Sequence, residues 1–257
     1  MPTTVELLEH WAKYGRGRVA TVFRRAATSA VGTYGAYVGY GLMHAELRHP
    51  FEGAEANEPL PGDGLVAFPD STKTFVVDIA APRDVVWRYL VQMGYGRAGW
   101  YGWYPMENGG RGSTDVVLDR WQGLAVGDLI PDGPRAGEGL GVWRVVELEP
   151  PEMMVLFSRR VATDGREVAA GTAAREPTIE CSWAFVLRPV ANGVEGCRLI
   201  VRVRVRFLAT EGGLAGRVLR HFFDVGDTVM EWTMLEGIKA RAEHDRDLAA
   251  SRVPPRD

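Results

Sequence analysis

The sequence predicts an α+β fold in which a curved antiparallel β-sheet wraps around a long C-terminal helix. Three observations carry this. Residues 181–188 and 198–206 alternate their side chains on either side of an Asn192-Gly193 turn, the pattern of a β-hairpin with one buried face. Residues 214–248 place Leu219, Phe222, Phe223, Gly226, Val229, Met230, Thr233, Met234 and Gly237 at helical spacing on one face, with Arg220, Asp224, Asp227 and Glu231 opposite. Short β-type runs before the hairpin are separated by Gly- and Pro-rich turns, with one helical stretch among them.

With 257 residues, 46% apolar and 25% charged, the chain is long enough for one large domain or two small ones and needs no metal or disulfide to hold its core. A formal net charge of -3 gives no electrostatic reason for a nucleic-acid partner. Residues 1–50 nevertheless carry six Lys/Arg and three acids, a basic arm on an acidic body. Cys181 and Cys197 are too few and wrongly spaced for a zinc site. The five histidines show no metal spacing, and no cofactor is expected. No secretory signal is visible, so the expected location is cytoplasmic.

Along the chain, residues 1–47 read as an N-terminal helical arm. Within it, residues 26–43 carry no charge and span roughly 27 Å as a helix, near the bilayer core, but four glycines and three tyrosines dilute their apolar content. Three placements follow for this segment: in or on a membrane, against a second copy of the chain as a homodimer, or packed on its own domain. Residues 48–71, with Pro50, Pro59, Pro61, Gly62, Gly64 and Pro69, form a linker. The folded body is expected over residues 72–250.

It begins with a strand over 72–79, followed by a helix from Pro82 to Gly94 whose apolar side chains are Val85, Val86, Tyr89, Leu90 and Met93. Strands are expected near 128–130, 142–148 and 153–158, and a mobile excursion over 161–177. In the hairpin, facing Leu187 with Leu199 also faces Phe185 with Val201, Trp183 with Val203 and Cys181 with Val205. That register makes one face apolar and turns the arginines to water. It also separates the two sulfurs by roughly 20 Å, too far for a disulfide. The long helix then covers the apolar face.

This order of elements, together with Pro59-Leu60-Pro61-Gly62-Asp63, Ala81-Pro82, Val86-Trp87, the run from Leu90-Val91-Gln92-Met93-Gly94 through Trp100-Tyr101, Glu107-Asn108, Val126-Gly127-Asp128 and Val145-Val146-Glu147-Leu148-Glu149-Pro150, resembles uncharacterised bacterial members of the START-like or polyketide cyclase/dehydrase (SRPBCC) superfamily. The resemblance covers about residues 59–248. It implies the helix-grip fold for that domain. It does not choose among the superfamily's lipid carriers, hormone binders, cyclases and hydrolytic enzymes.

Gly94-Tyr95-Gly96-Arg97-Ala98-Gly99 matches a dinucleotide fingerprint in letters only: a helix precedes it and Trp100-Tyr101-Gly102-Trp103-Tyr104-Pro105 follows. The glycines instead permit a tight bend. The aromatic run after them suits a pocket wall, or else a satellite core cluster closing the sheet. Glu107, with Tyr101 or Tyr104, is the weak catalytic candidate, a carboxylate among aromatic rings that can move a proton. Its alternative is an ion pair with Arg97 or Arg111. The expected ligand-binding residues are Trp100, Tyr101, Tyr104, Trp183, Phe185, Phe222, Gly226, Met230, Thr233 and Met234. The expected function is binding of a small, largely apolar molecule of lipid, isoprenoid or polyketide type. The alternatives are a cyclase or dehydratase acting on such a molecule, and a protein that docks a membrane or partner through its N-terminal helix.

Overall fold

The computed structural model describes residues 51–102, 108–134, 141–162, 165–169, 171–190, 196–208 and 214–251, with backbone alone for 214–225. The expectations for residues 1–47, Tyr104 and Glu107 lie outside the described residues, as does that for the Phe222 side chain. Six strands, β1 (Ser71–Ile79), β2 (Leu129–Pro131), β3 (Val142–Glu149), β4 (Met153–Val161), β5 (Thr178–Pro189) and β6 (Cys197–Leu208), form one sheet in the order β1-β6-β5-β4-β3-β2. Every neighbouring pair is antiparallel. Helix α1 (Arg83–Val91) follows β1, and helix α2 (Leu214–Ser251) closes the fold. A curved antiparallel sheet with a long C-terminal helix across it is the helix-grip arrangement. Among the described residues no helix is long and apolar enough to cross a membrane.

The hairpin register is the one its alternation dictates: Leu187 faces Leu199, Phe185 faces Val201, Trp183 faces Val203 and Cys181 faces Val205. Both cysteines are free and buried. The inward side chains join those of α1 and α2 in one core containing Phe75, Tyr89, Leu90, Met154, Leu156, Leu235 and Ile238. In β3 the register shifts between Val145 and Glu147, an extra residue that bends the strand.

The outer face departs from expectation. Its arginines do not simply meet water, because residues 55–66 lie across them. Arg202 is 3% exposed. Its guanidinium donates to the carbonyls of Glu55 (2.6 Å), Ala56 (3.0 Å) and Glu58 (2.8 Å), to Asp63 Oδ2 (2.9 Å) and to Thr74 Oγ1 (3.1 Å). Arg198 bonds both carboxylate oxygens of Asp78 and reaches Glu55 at 2.7 Å. Leu60 fills a small second core with Val186 and Ile200. The residues read as a linker therefore act as a strap. One helical turn (Ala54–Asn57) and one 3-10 turn (Asp63–Val66) present their carbonyls and acids to the arginines. The segment after β4 is likewise tied down: Arg159, 6% exposed, donates to the carbonyls of Ala169 and Thr172 and pairs with Glu180.

Two outcomes follow. Arg202→Met strands the carbonyls of Glu55, Ala56 and Glu58 and takes from Asp63 one of its two arginines, so denaturant melts should show a loss of about 3 kcal/mol, the scale of breaking a covered charged network. An unchanged melt would mean that the strap adds nothing. The second concerns acid. Hydrogen bonds from Arg198 hold the Asp78 carboxyl below its ordinary 3.8, and backbone hydrogen bonding followed by Arg198 holds Glu55 below its ordinary 4.5. Depressed carboxyls contribute stability that is complete above those ordinary values and is lost as pH falls through the lower folded ones. Melts followed downward from pH 5 should therefore fall less steeply in Arg198→Gln than in the wild type. Parallel curves would exclude this contribution.

Candidate functional site

Between the inner face of the sheet and α2 lies a cavity of about 240 Å³. Its wall is Trp100, Asp132, Trp143, Arg160, Cys181, Trp183, Val203, Val205, Gly226, Asp227, Met230, Glu231 and Met234. Period-two alternation in β5 and β6 brings Cys181, Trp183, Val203 and Val205 to this face. Positions 226, 227, 230, 231 and 234 form the helical stripe above them. Met230 is 41% exposed and stands where the cavity meets solvent.

Aromatic rings dominate the wall. Trp183 stacks on Trp100 with centroids 5.5 Å apart and lies 5.1 Å from Trp143. Trp100 Nε1 donates to the Asp132 carbonyl at 3.2 Å. The indole N–H groups of Trp143 and Trp183 are buried and have no acceptor among the described residues. Three of the four charged members have these partners: Arg160 binds the Asp132 carboxylate and lies over the Trp143 ring, and Lys73 of β1 holds Asp227 at 3.1 Å; the fourth, Glu231, is 3% exposed. Burial pushes the Cys181 thiol up to about 12, against a smaller opposing effect of Arg160. Among the described residues no group of three His, Cys, Asp or Glu converges as a metal site would.

Of the residues expected from sequence, Trp100, Trp183, Gly226, Met230 and Met234 line the cavity. Phe185 packs behind Trp183 at 4.9 Å, and the Thr233 hydroxyl returns to the Met230 carbonyl. Tyr101 stands behind the wall. Its hydroxyl accepts from Gln92 Nε2 at 2.7 Å and donates to the Tyr89 carbonyl at 3.1 Å, and its ring lies under Arg241. Asp227 and Glu231, expected on the outward stripe, instead belong to the wall; helical spacing alone cannot show that Lys73 waits on β1. Trp143, Asp132 and Arg160 belong to the wall without a motif that marks them in the sequence; the one signal is that Trp143 stands in a β-type run.

The two glycines of the α2 stripe separate. Gly226 borders the cavity, whereas a Cβ on Gly237 would meet the Tyr101 carbonyl oxygen at 2.1 Å. Gly237 therefore allows backbone-to-backbone packing. Gly237→Ala should lower stability by about 1–3 kcal/mol, as overpacking does. A variant melting with the wild type would show that the helix can lift at no cost.

No family model matches the sequence, and no curated protein matches it. Solved structures to which it is similar include a protein from Mesorhizobium loti, at 17% identity and TM-score 0.37, over 68% of this chain and 98% of that one. A polyketide-cyclase-like protein from Corynebacterium glutamicum is similar at 14% identity and TM-score 0.34, over 72% and 97%. An aromatase/cyclase from a Streptomyces species is similar at 14% identity and TM-score 0.34, over 71% and 99%.

Proposed function

We propose that the protein binds a small, largely apolar molecule in the cavity between sheet and helix. One observation carries this: a space of about 240 Å³ is walled by three tryptophans, two valines and two methionines, and of its four charged residues Asp132, Arg160 and Asp227 are held in ion pairs, with Glu231 the fourth. Apolar walls with few placed polar groups are what small-molecule sites present. The volume equals that of about eight waters, which suits a compact one- or two-ring molecule better than a diacyl lipid. The indole N–H groups of Trp143 and Trp183 favour an occupant bearing an acceptor oxygen over a pure hydrocarbon. Binding ranks ahead of catalysis because the Tyr101 hydroxyl, one of the groups a cyclase reading would use, is engaged behind the wall.

The test is native mass spectrometry of the purified full chain, followed by organic extraction. A compact apolar molecule should leave with the extract. Gly226→Leu fills the cavity from the helix and exchanges glycine for a better helix former, so its melt should stay within about 1 kcal/mol of wild type. It should retain less than a tenth of the molecule. An empty extract, together with a melt that no compact apolar compound raises, would overturn the proposal.

A further inference from the structure

Tyr101 has a left-handed backbone, φ 59°, although it is neither glycine nor asparagine. A bulky residue there is an outlier that persists only where its surroundings over-determine it. They do so here from every side. Its amide donates to Ser113 Oγ at 2.9 Å, and its ring meets Tyr89 edge-on at 5.9 Å. Gln92, fully buried, grips its hydroxyl while accepting from the Leu118 amide. Gly237 admits its carbonyl. None of these groups touches the cavity. Trp100, the preceding residue, does, with its amide held by Asn108 Oδ1 and its indole N–H by the Asp132 carbonyl.

We infer that Tyr101 is a positioning residue for the cavity: its left-handed turn, locked between α1 and α2, sends Tyr101 into the core and Trp100 into the wall, and so sets the shape of the bound molecule. The inference rests on the binding function proposed above. A right-handed or extended residue at 101 changes the direction in which the chain enters position 100, and the stacking of Trp100 on Trp183 changes with it. The strain at 101 is thus linked to the one wall residue that this loop contributes among the described residues.

The test uses the full chain labelled with 5-fluorotryptophan, the Trp100 resonance being assigned by Trp100→Phe. Tyr101→Phe removes both hydroxyl bonds but keeps the ring. It should move or broaden the Trp100 resonance while leaving that of Trp121 in place, with the melt still cooperative. Should that variant fail to fold, Gly237→Ala presses on the same carbonyl and is expected to do likewise. Calorimetry with 2-naphthol should then show at least tenfold weaker binding than wild type. An unmoved Trp100 resonance in a folded variant would overturn the inference, and so would a moved resonance with undiminished affinity. Failure of the wild type to take up 2-naphthol or any other compact apolar probe would instead sink the binding proposal, whereas the resonance reads Trp100 without any ligand.

Discussion

The contact of Gly237 with the Tyr101 carbonyl governs how α2 lies on the sheet. A helix carrying any side chain at 237 would have to rise or turn to clear that oxygen. With glycine there, the C-terminal half of α2 closes down on the core, and Leu235, Ile238 and Ala242 are fully buried. Gly226 is eleven residues earlier, roughly 16 Å up the helix at 1.5 Å per residue. There the same helix passes over Trp183, Val203 and Val205 without closing on them, and the cavity is what remains. Tight packing at one end and open space at the other occur along one helix laid on a curved sheet. The bulge in β3 adds to that curvature beside the Trp143 wall.

The same register that supplies the inner wall creates a demand on the other side. Turning Leu199, Val201, Val203 and Val205 inward turns Arg198, Arg202 and Arg204 outward. Arg202 is then covered, and a covered guanidinium requires acceptors. Residues 55–66 provide them largely from backbone carbonyls, so the strap's sequence needs few acids to do it. Asp63 serves three masters: Arg202, Arg204 and the amide of Leu60. The sheet is thus covered on one face by a helix and on the other by a strap, although the alternation of β6 looks like that of a strand with one wet face.

What the sequence made legible was whatever depends on local period. The register of β5 with β6 and the extent of α2 follow from alternation of two and from a repeat of 3.6, and both are as expected. What it hid depends on partners far along the chain. Arg202 reads as solvated because the carbonyls that bury it are 144 to 147 residues away. Asp227 reads as outward because Lys73 lies 154 residues earlier. Tyr101 reads as a twin of Trp100, since both belong to one aromatic run. Only the sign of a backbone angle, which composition does not encode, sends them to opposite sides of the wall. Of the ten residues expected to bind ligand, Tyr104 and the Phe222 side chain lie outside the described residues; of the other eight, five line the cavity, and all but Trp100 of these lie on elements whose period was readable.

The ionisable groups of the wall bear on what the cavity can hold. Paired buried charges return little stability, because desolvation consumes most of the Coulomb attraction. Arg160 with Asp132 and Lys73 with Asp227 are therefore poor candidates for holding the fold together. Their effect is on the space between them. Each pair cancels its own field, and Arg160 is further spread over the Trp143 ring. Cys181, which would be the wall's nucleophile, is raised by burial and stays a neutral thiol at ordinary pH, behaving as a small apolar side chain. The cavity thus presents indole, valine, methionine and thiol surfaces beside two matched charge pairs and Glu231. Under the binding proposed above, such a wall suits an uncharged occupant, because burying it excludes water from both apolar surfaces.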